Sequence, residues 1–119
     1  MNLATEQVGD TLVVGVPGHI NSGNAAELEA ELMLKLEQRP ARLVLDLADL
    51  SYISSAGLRV VLVLAKKVRE SGGILIVCGL SGAVHEVFDV SGFLEILTVR
   101  KDRICALSVD AIHQADAGK

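Results

Sequence analysis

Residues 43–47 form the apolar stretch Leu43-Val44-Leu45-Asp46-Leu47, and this stretch decides the fold. Its length and composition are typical of a strand that is buried on both faces of a helix-covered sheet. A helical pattern follows over about Ser55–Glu70, ends at Ser71-Gly72-Gly73, and leads into a second apolar run, Ile74–Cys78. Because a helical crossover makes two such strands parallel neighbours, this region predicts an α/β fold.

The segments before this region add a hairpin and a helix. Leu3–Val8 and Thr11–Pro17 flank the turn-forming pair Gly9-Asp10, which predicts two antiparallel strands. A loop rich in turn formers follows, and Asn24 then begins a helix with an acid in its first turn. The apolar stripe predicted to face the core on this helix is Ala25, Leu28, Leu32 and Leu36.

The segments after Cys78 add two helices and an edge strand. A third helix follows the turn at Gly79–Gly82, and Ile96–Val99 is predicted to be the edge strand. Asp102 is predicted to cap a last helix, with an apolar stripe of Ile104, Leu107, Ala111 and Ile112. The sequence thus predicts one α/β domain over residues 1–119, in which about four helices cover a mixed sheet of about five strands.

Composition narrows the class of partner. The chain has 119 residues, of which 50% are hydrophobic and 3% aromatic, so the core is expected to consist of packed aliphatic side chains. A net charge of -4 disfavours nucleic acid and anionic membrane as partners. The longest apolar run, Val60–Ala65, is far shorter than the roughly 20 residues needed to cross a bilayer. With no leader-like pattern at the N-terminus, the expected location is cytoplasmic.

The two cysteines do not form a recognisable site. Cys78 falls in a predicted buried strand and Cys105 in a predicted helix, with no CxxC spacing. Both are expected to be free thiols. The sequence therefore predicts neither a metal site nor a cofactor.

The junction Tyr52-Ile53-Ser54-Ser55-Ala56-Gly57 is the most informative part of the sequence. A serine here is explained by N-capping alone, since its oxygen accepts an orphan backbone N–H. Capping does not explain Gly57, which costs about 0.5–1 kcal/mol relative to Ala inside a helix. Close approach of another backbone or of a partner protein is the proposed reason. A hydroxyl at a helix start is also well placed to carry a phosphate.

Several segments together resemble the STAS domains, in particular the bacterial anti-sigma factor antagonists. The strand at 43–47 and the junction at 52–62 look like the family's signature. Gly18-His19-Ile20-Asn21 is similar to the loop after the family's second strand, and 72–80 and 84–93 match its following elements. The resemblance covers nearly the whole chain and implies a STAS-type fold.

The resemblance also implies a phosphorylation-controlled switch. Such proteins bind an anti-sigma factor that is also a serine kinase, are phosphorylated at the serine that opens the second helix, and are reset by a PP2C-type phosphatase. That serine corresponds to Ser55. The family often has Asp at the positions of Ser54 and Asn21, so that Ser54 becomes a competing acceptor here. The partner-binding residues that follow from the match are Asn21, Ser54, Ser55, Ala56, Gly57, Leu58 and Val60; a weak homodimer is left open.

A helical wheel assigns the faces of the second helix. The predicted core stripe is Leu58, Val61, Leu62, Ala65 and Val68. Val60 and Val63 would then lie on the outward side and form a partner surface, unless neighbouring helices cover them.

Two other functional classes compete with the phosphorylation switch. A GxSxG nucleophile elbow around Ser55 would need glycine at the position of Ile53, and no P-loop motif occurs, so the protein is not expected to be an enzyme. The alternative is a non-phosphorylated STAS adaptor of a transport or lipid-trafficking complex, which would have the same fold.

Overall fold

The computed structural model describes residues 2–108. After an opening hairpin, strands and helices are interspersed along the chain. Their order is β1 (Ala4–Val8), β2 (Thr11–Gly15), β3 (Gly18–Ile20), α1 (Ala25–Leu36), β4 (Arg42–Asp46), β5 (Leu50–Ile53), α2 (Ser55–Glu70), β6 (Ile74–Cys78), α3 (Gly82–Val90), α4 (Phe93–Ile96), β7 (Thr98–Arg100) and α5 (Arg103–Leu107).

The main sheet confirms the predicted mixed sheet of five strands. Its order is β1-β2-β4-β6-β7, with β1 antiparallel to β2 and every other neighbouring pair parallel. The side chains of successive residues alternate between two cores. Leu43 and Leu45 of β4 belong to the core that also contains the buried residues of α1, α2 and α3. Val44 faces the other side, where Ala106 of α5 covers it.

Two short strands differ from the sequence prediction. Gly18–Ile20 was predicted to be a loop and Ala48–Ile53 a spacer, but β3 and β5 pair in parallel as a separate two-stranded sheet. Neither strand alternates apolar with polar residues: β5 is buried at both ends, Leu50 and Ile53, and exposed between them. Strands of three and four residues without the period-two pattern are not recognisable from periodicity.

The buried face of α2 is also rotated relative to the prediction. Val60 was placed on the outward side, yet it is only 3% exposed, whereas Leu62 of the predicted core stripe is 36% exposed. Leu64, which was not in the predicted stripe, is fully buried. Because Val60–Ala65 is apolar all round the helix, no polar residue marks the edges of the buried arc.

The C-terminal elements follow the prediction in part. Asp102 caps α5, since its Oδ1 accepts the backbone N–H of Cys105 at 2.9 Å. Ile104 was predicted to face the core and instead is 82% exposed, while Ala106 is the buried residue. The predicted stripe residues Ala111 and Ile112 lie outside the described residues. The edge strand begins at Thr98, because Ile96 ends α4, a one-turn helix that the sequence analysis missed and that brings the described helices to five.

Candidate partner-binding site

The start of α2 assigns different roles to the two serines. Ser54 has extended backbone dihedrals and is the N-cap: its Oγ accepts the backbone N–H of Gly57 at 3.2 Å. Its carbonyl oxygen accepts the N–H of Leu58 at 2.9 Å, the first bond of the helix. Ser55 is the first helical residue, as the sequence analysis placed it, but the capping oxygen belongs to Ser54.

The side chain of Ser55 is exposed, whereas that of Ser54 is half-buried. Within residues 2–108, the Ser55 hydroxyl has no hydrogen-bond partner. The backbone N–H groups of the first helical turn carry the positive end of the helix dipole, and they lie next to this hydroxyl. A negative group attached to Ser55 is therefore electrostatically favoured and has open space around it.

The loop after β3 is joined to the helix start. The N–H of Ser54 donates to the carbonyl oxygen of Ile20 at 2.9 Å, which brings Asn21 beside it. The side-chain oxygen of Asn21 accepts the N–H of Gly23 at 2.8 Å and that of Asn24 at 3.2 Å. Asn21 therefore shapes its own turn and, being an amide, adds no charge to this loop.

The packing around Gly57 explains why this position lacks a side chain. A Cβ built there would lie 2.7 Å from Cγ1 of Ile53 and 2.8 Å from Cγ2 of Ile20. The neighbours are side chains of the same chain, so the close approach predicted at Gly57 is made by Ile53 and Ile20 and not by another backbone. Gly57 lets the first turn of α2 pack against the two-stranded sheet, which holds Ser55 at the start of the helix.

Burial separates the residues that a partner can reach from those it cannot. Ser55 is exposed, and Asn21, Ser54 and Ala56 are half-buried. The remaining predicted partner residues, Gly57, Leu58 and Val60, are buried. Their side chains are therefore little exposed in the free chain, and partner contact by these three residues stays a prediction.

The two-stranded sheet adds two exposed rings that the sequence analysis did not bring together. The register of β3 and β5 sets His19 opposite Tyr52, and both are exposed. Ser51 fixes the start of this sheet through a hydrogen bond from its Oγ to the carbonyl oxygen of Gly18 at 2.9 Å. Tyr52 was missed as a surface residue because β5 itself was missed.

The polar cluster at the carboxyl ends of the central strands is structural. Arg103 lies 2.9 Å from Oδ2 of Asp46 and 3.1 Å from Oε1 of Glu6, and so ties α5 to the sheet. Burial raises the pKa of the neighbouring Cys78 thiol to about 12, with the Asp46 charge adding to the effect. A protonated thiol is a poor nucleophile and metal ligand. Among residues 2–108, no three His, Cys, Asp or Glu side chains are grouped to hold a metal ion.

The family model for the STAS domain matches residues 2–106. The chain belongs to the STAS domain family. It is 46% identical over 106 residues to a Bordetella bronchiseptica protein named "Putative anti-sigma factor antagonist BtrV", which covers 89% of this chain and 91% of the relative. It is 30% identical over 99 residues to the anti-sigma-B factor antagonist of Bacillus subtilis, which covers 83% of this chain and 90% of the relative.

Solved structures agree on the fold. An anti-sigma factor antagonist from Mycobacterium paratuberculosis superposes with a TM-score of 0.77 at 21% identity, covering 95% of this chain and 92% of the other. The unphosphorylated form of the antagonist SpoIIAA superposes with a TM-score of 0.60 at 20% identity, covering 74% and 82%. Both confirm the STAS-type α/β fold expected from the sequence. In the described part of the chain, no helix is long and apolar enough to span a membrane.

Proposed function

We propose that this STAS domain protein is an anti-sigma factor antagonist. In its unphosphorylated form it binds an anti-sigma factor that is also a serine kinase, and phosphorylation of Ser55 by that kinase releases it. A PP2C-type phosphatase restores the binding form. The protein acts through binding in the cytoplasm and has no catalytic role of its own. The similarity to named antagonists over about nine-tenths of the chain supports this assignment.

The contrast between Ser54 and Ser55 carries the proposal. A phosphoryl acceptor needs a hydroxyl that a kinase can reach, and Ser55 is exposed with its oxygen unengaged. Ser54 is half-buried and its oxygen caps the helix. To accept a phosphoryl group, the hydroxyl of Ser54 would first have to leave its half-buried position and give up the hydrogen bond from Gly57, which is worth about 1 kcal/mol. Ser55 is therefore the acceptor, and the competing site is disfavoured.

The chemical step transfers the γ-phosphoryl group of ATP to Oγ of Ser55. The Oγ–P bond forms, the bond between phosphorus and the ADP oxygen breaks, and the hydroxyl proton is released. The product carries a charge of about -1.5 to -2 at neutral pH. Because this charge lies at the positive end of α2, the fold accommodates it, and its main effect falls on a partner docked at the same place.

The test uses each anti-sigma factor serine kinase encoded in the source genome, purified and incubated with this protein and ATP. Mass spectrometry of proteolytic peptides is expected to place a single phosphate on Ser55. Ser55→Ala should abolish incorporation, and Ser54→Ala, the matched control one residue away, should retain it. Phosphate on another residue contradicts Ser55 as the acceptor, and no phosphate with any kinase contradicts the switch and favours the non-phosphorylated adaptor.

A further inference from the structure

The outward face of α2 carries a row of exposed residues that begins at Ser55. Positions four, seven, eleven and fourteen residues after Ser55 fall on one face of an α-helix. All of them are exposed in the structure. We name this row the basic ridge, and its members are Arg59, Leu62, Lys66 and Arg69.

The ridge has a local charge opposite to that of the protein. It holds three cations, whereas the whole chain has a net charge of -4. No ion pair engages Arg59, Lys66 or Arg69 within residues 2–108. The only acid on α2 is Glu70, which lies 3.8 Å from Lys67, off the ridge.

Helix stabilisation does not account for the row. Cations in the last turn favour a helix through its dipole, which gives Arg69 a structural role. Arg59 lies in the second turn, toward the opposite, positive end of the helix. Leu62, at the middle of the row, leaves 36% of its surface exposed among these charges. A row of free cations around an apolar side chain, continuous with the modification site, has the pattern of an interface.

We infer that the basic ridge extends the binding surface from Ser55 along α2 and docks on an acidic surface of the anti-sigma factor, with Leu62 in apolar contact. The inference rests on the proposed function and adds the partner's charge and the reach of the interface. The occupant is a protein with carboxylates spaced to match the cations from Arg59 to Arg69, which span about three turns of helix. Nucleic acid is not the occupant, because the charge of the rest of the chain repels it.

The same geometry gives a mechanism for release. A phosphate on Ser55 is four residues before Arg59, the spacing at which opposite charges on a helix pair. The phosphate therefore engages Arg59 and lowers the ridge charge from three to about one, given the charge of about -1.5 to -2 that it brings. Phosphorylation weakens binding by cancelling the attraction to the acidic partner, without any rearrangement of the fold.

The test compares Lys66→Glu with Lys67→Glu. The two variants have the same net charge and change different faces of α2, and Lys67→Glu also removes the exposed 3.8 Å ion pair with Glu70. Binding to the kinase that phosphorylates Ser55 is measured by biolayer interferometry, with the kinase loaded with ADP so that no transfer occurs. We expect Lys66→Glu to weaken binding by about tenfold or more, mainly through a slower association rate, and Lys67→Glu to change it by less than about twofold.

The salt dependence of the affinity is a second readout, and it would not change if Lys66 had only a structural role. Between about 50 and 300 mM NaCl the wild-type affinity is expected to fall steeply, and that of Lys66→Gln less so, because screening removes an attraction the variant has already lost. Equal effects of the two glutamate variants on the affinity, or wild-type affinity in Lys66→Glu, would overturn the inference that the basic ridge binds the partner. Failure of the proposed function looks different: the wild-type protein is then neither bound nor phosphorylated by any of the kinases.

Discussion

The Oγ atom of Ser54 accepts the backbone N–H of Gly57 at 3.2 Å, and this bond decides which of two adjacent hydroxyls is available for chemistry. The bond occupies Ser54 and sets the first turn of α2. Ser55 is then held at the first helical position with its side chain in solvent. Capping is thereby the role of Ser54, and the proposed modification falls on the neighbouring residue of the same type.

Charge at Ser55 should control binding without unfolding the protein. Ser55→Asp places a carboxylate at the helix start, and we expect it to weaken binding to the cognate kinase by about tenfold, while Ser55→Ala retains wild-type affinity. Isothermal titration calorimetry with ADP-loaded kinase measures both. Both variants should keep the wild-type circular dichroism spectrum, because the side chain is exposed. Equal affinities for the two would contradict a charge switch.

Ser54 should matter for stability rather than for phosphorylation. Ser54→Ala removes the cap and is expected to lower the free energy of unfolding by about 1 kcal/mol in urea denaturation. Ser54→Asp, which restores the residue frequent in the family, is the matched control and should keep the cap, with its charge favoured by the dipole. Both variants should still accept phosphate at Ser55. An unchanged stability of Ser54→Ala would show that the cap contributes nothing.

Gly57→Ala offers a test in which two effects have opposite signs. Helix propensity alone predicts that alanine stabilises the helix by up to about 1 kcal/mol. The structure predicts a loss of about 1–3 kcal/mol, because the new Cβ would meet Ile53 and Ile20 at 2.7 and 2.8 Å. Thermal and urea unfolding give the sign. A stabilised protein would mean that the contact relaxes at no cost, and would return Gly57 to a role at the partner surface.

The two thiols should react at different rates. Cys105 is exposed and Cys78 is buried, so Ellman's reagent at pH 8 should modify one thiol rapidly and the second only on unfolding. Cys105→Ser should remove the fast phase and leave the slow one. A fast phase that survives this substitution would show that Cys78 is accessible.

The buried thiol also predicts a dependence on alkaline pH. The pKa of Cys78 is raised from 9.0 to about 12 in the fold, so the folded protein holds the proton more tightly than the unfolded chain. This contribution to stability is complete below about pH 9 and is lost as the pH rises toward 12. Cys78→Ala should flatten the fall of the unfolding free energy above pH 9, measured by urea denaturation. An identical slope in the variant would assign the fall to other groups.

Elements with a clear hydrophobic period were predicted correctly from the sequence. Prediction failed where a strand was too short to show a period, or where a helix was apolar on every side. The apolar run at 43–47 is typical of a buried strand, and this strand predicted the main sheet. The strand Leu50–Ile53 has four residues and no alternation, so nothing marked it. Around Val60 the helix is apolar on every side, and only the packed structure shows that Val60 is inside and Leu62 outside.

The position of the candidate site in the chain was predictable from the sequence, but its hydrogen bonds and packing contacts were not. The junction 52–57 located the serines and the glycine together. Which serine caps depends on the backbone dihedrals of Ser54, and which neighbours exclude a Cβ at Gly57 depends on a two-stranded sheet that periodicity does not show. Long-range contacts of this kind are fixed by tertiary packing, and a single sequence does not state them.

The enclosure of Gly57 by Ile20 and Ile53 has an evolutionary consequence. Substitutions on the inner side of the first turn carry a folding penalty, so they are removed whether or not they alter recognition. With the interface proposed here, divergence in partner choice then falls on outward positions such as Arg59 and Lys66, whose exposed side chains can change without repacking the core. Duplicated copies of such a gene could thus acquire different binding partners through a few substitutions at exposed positions, while their hydrophobic cores stay the same.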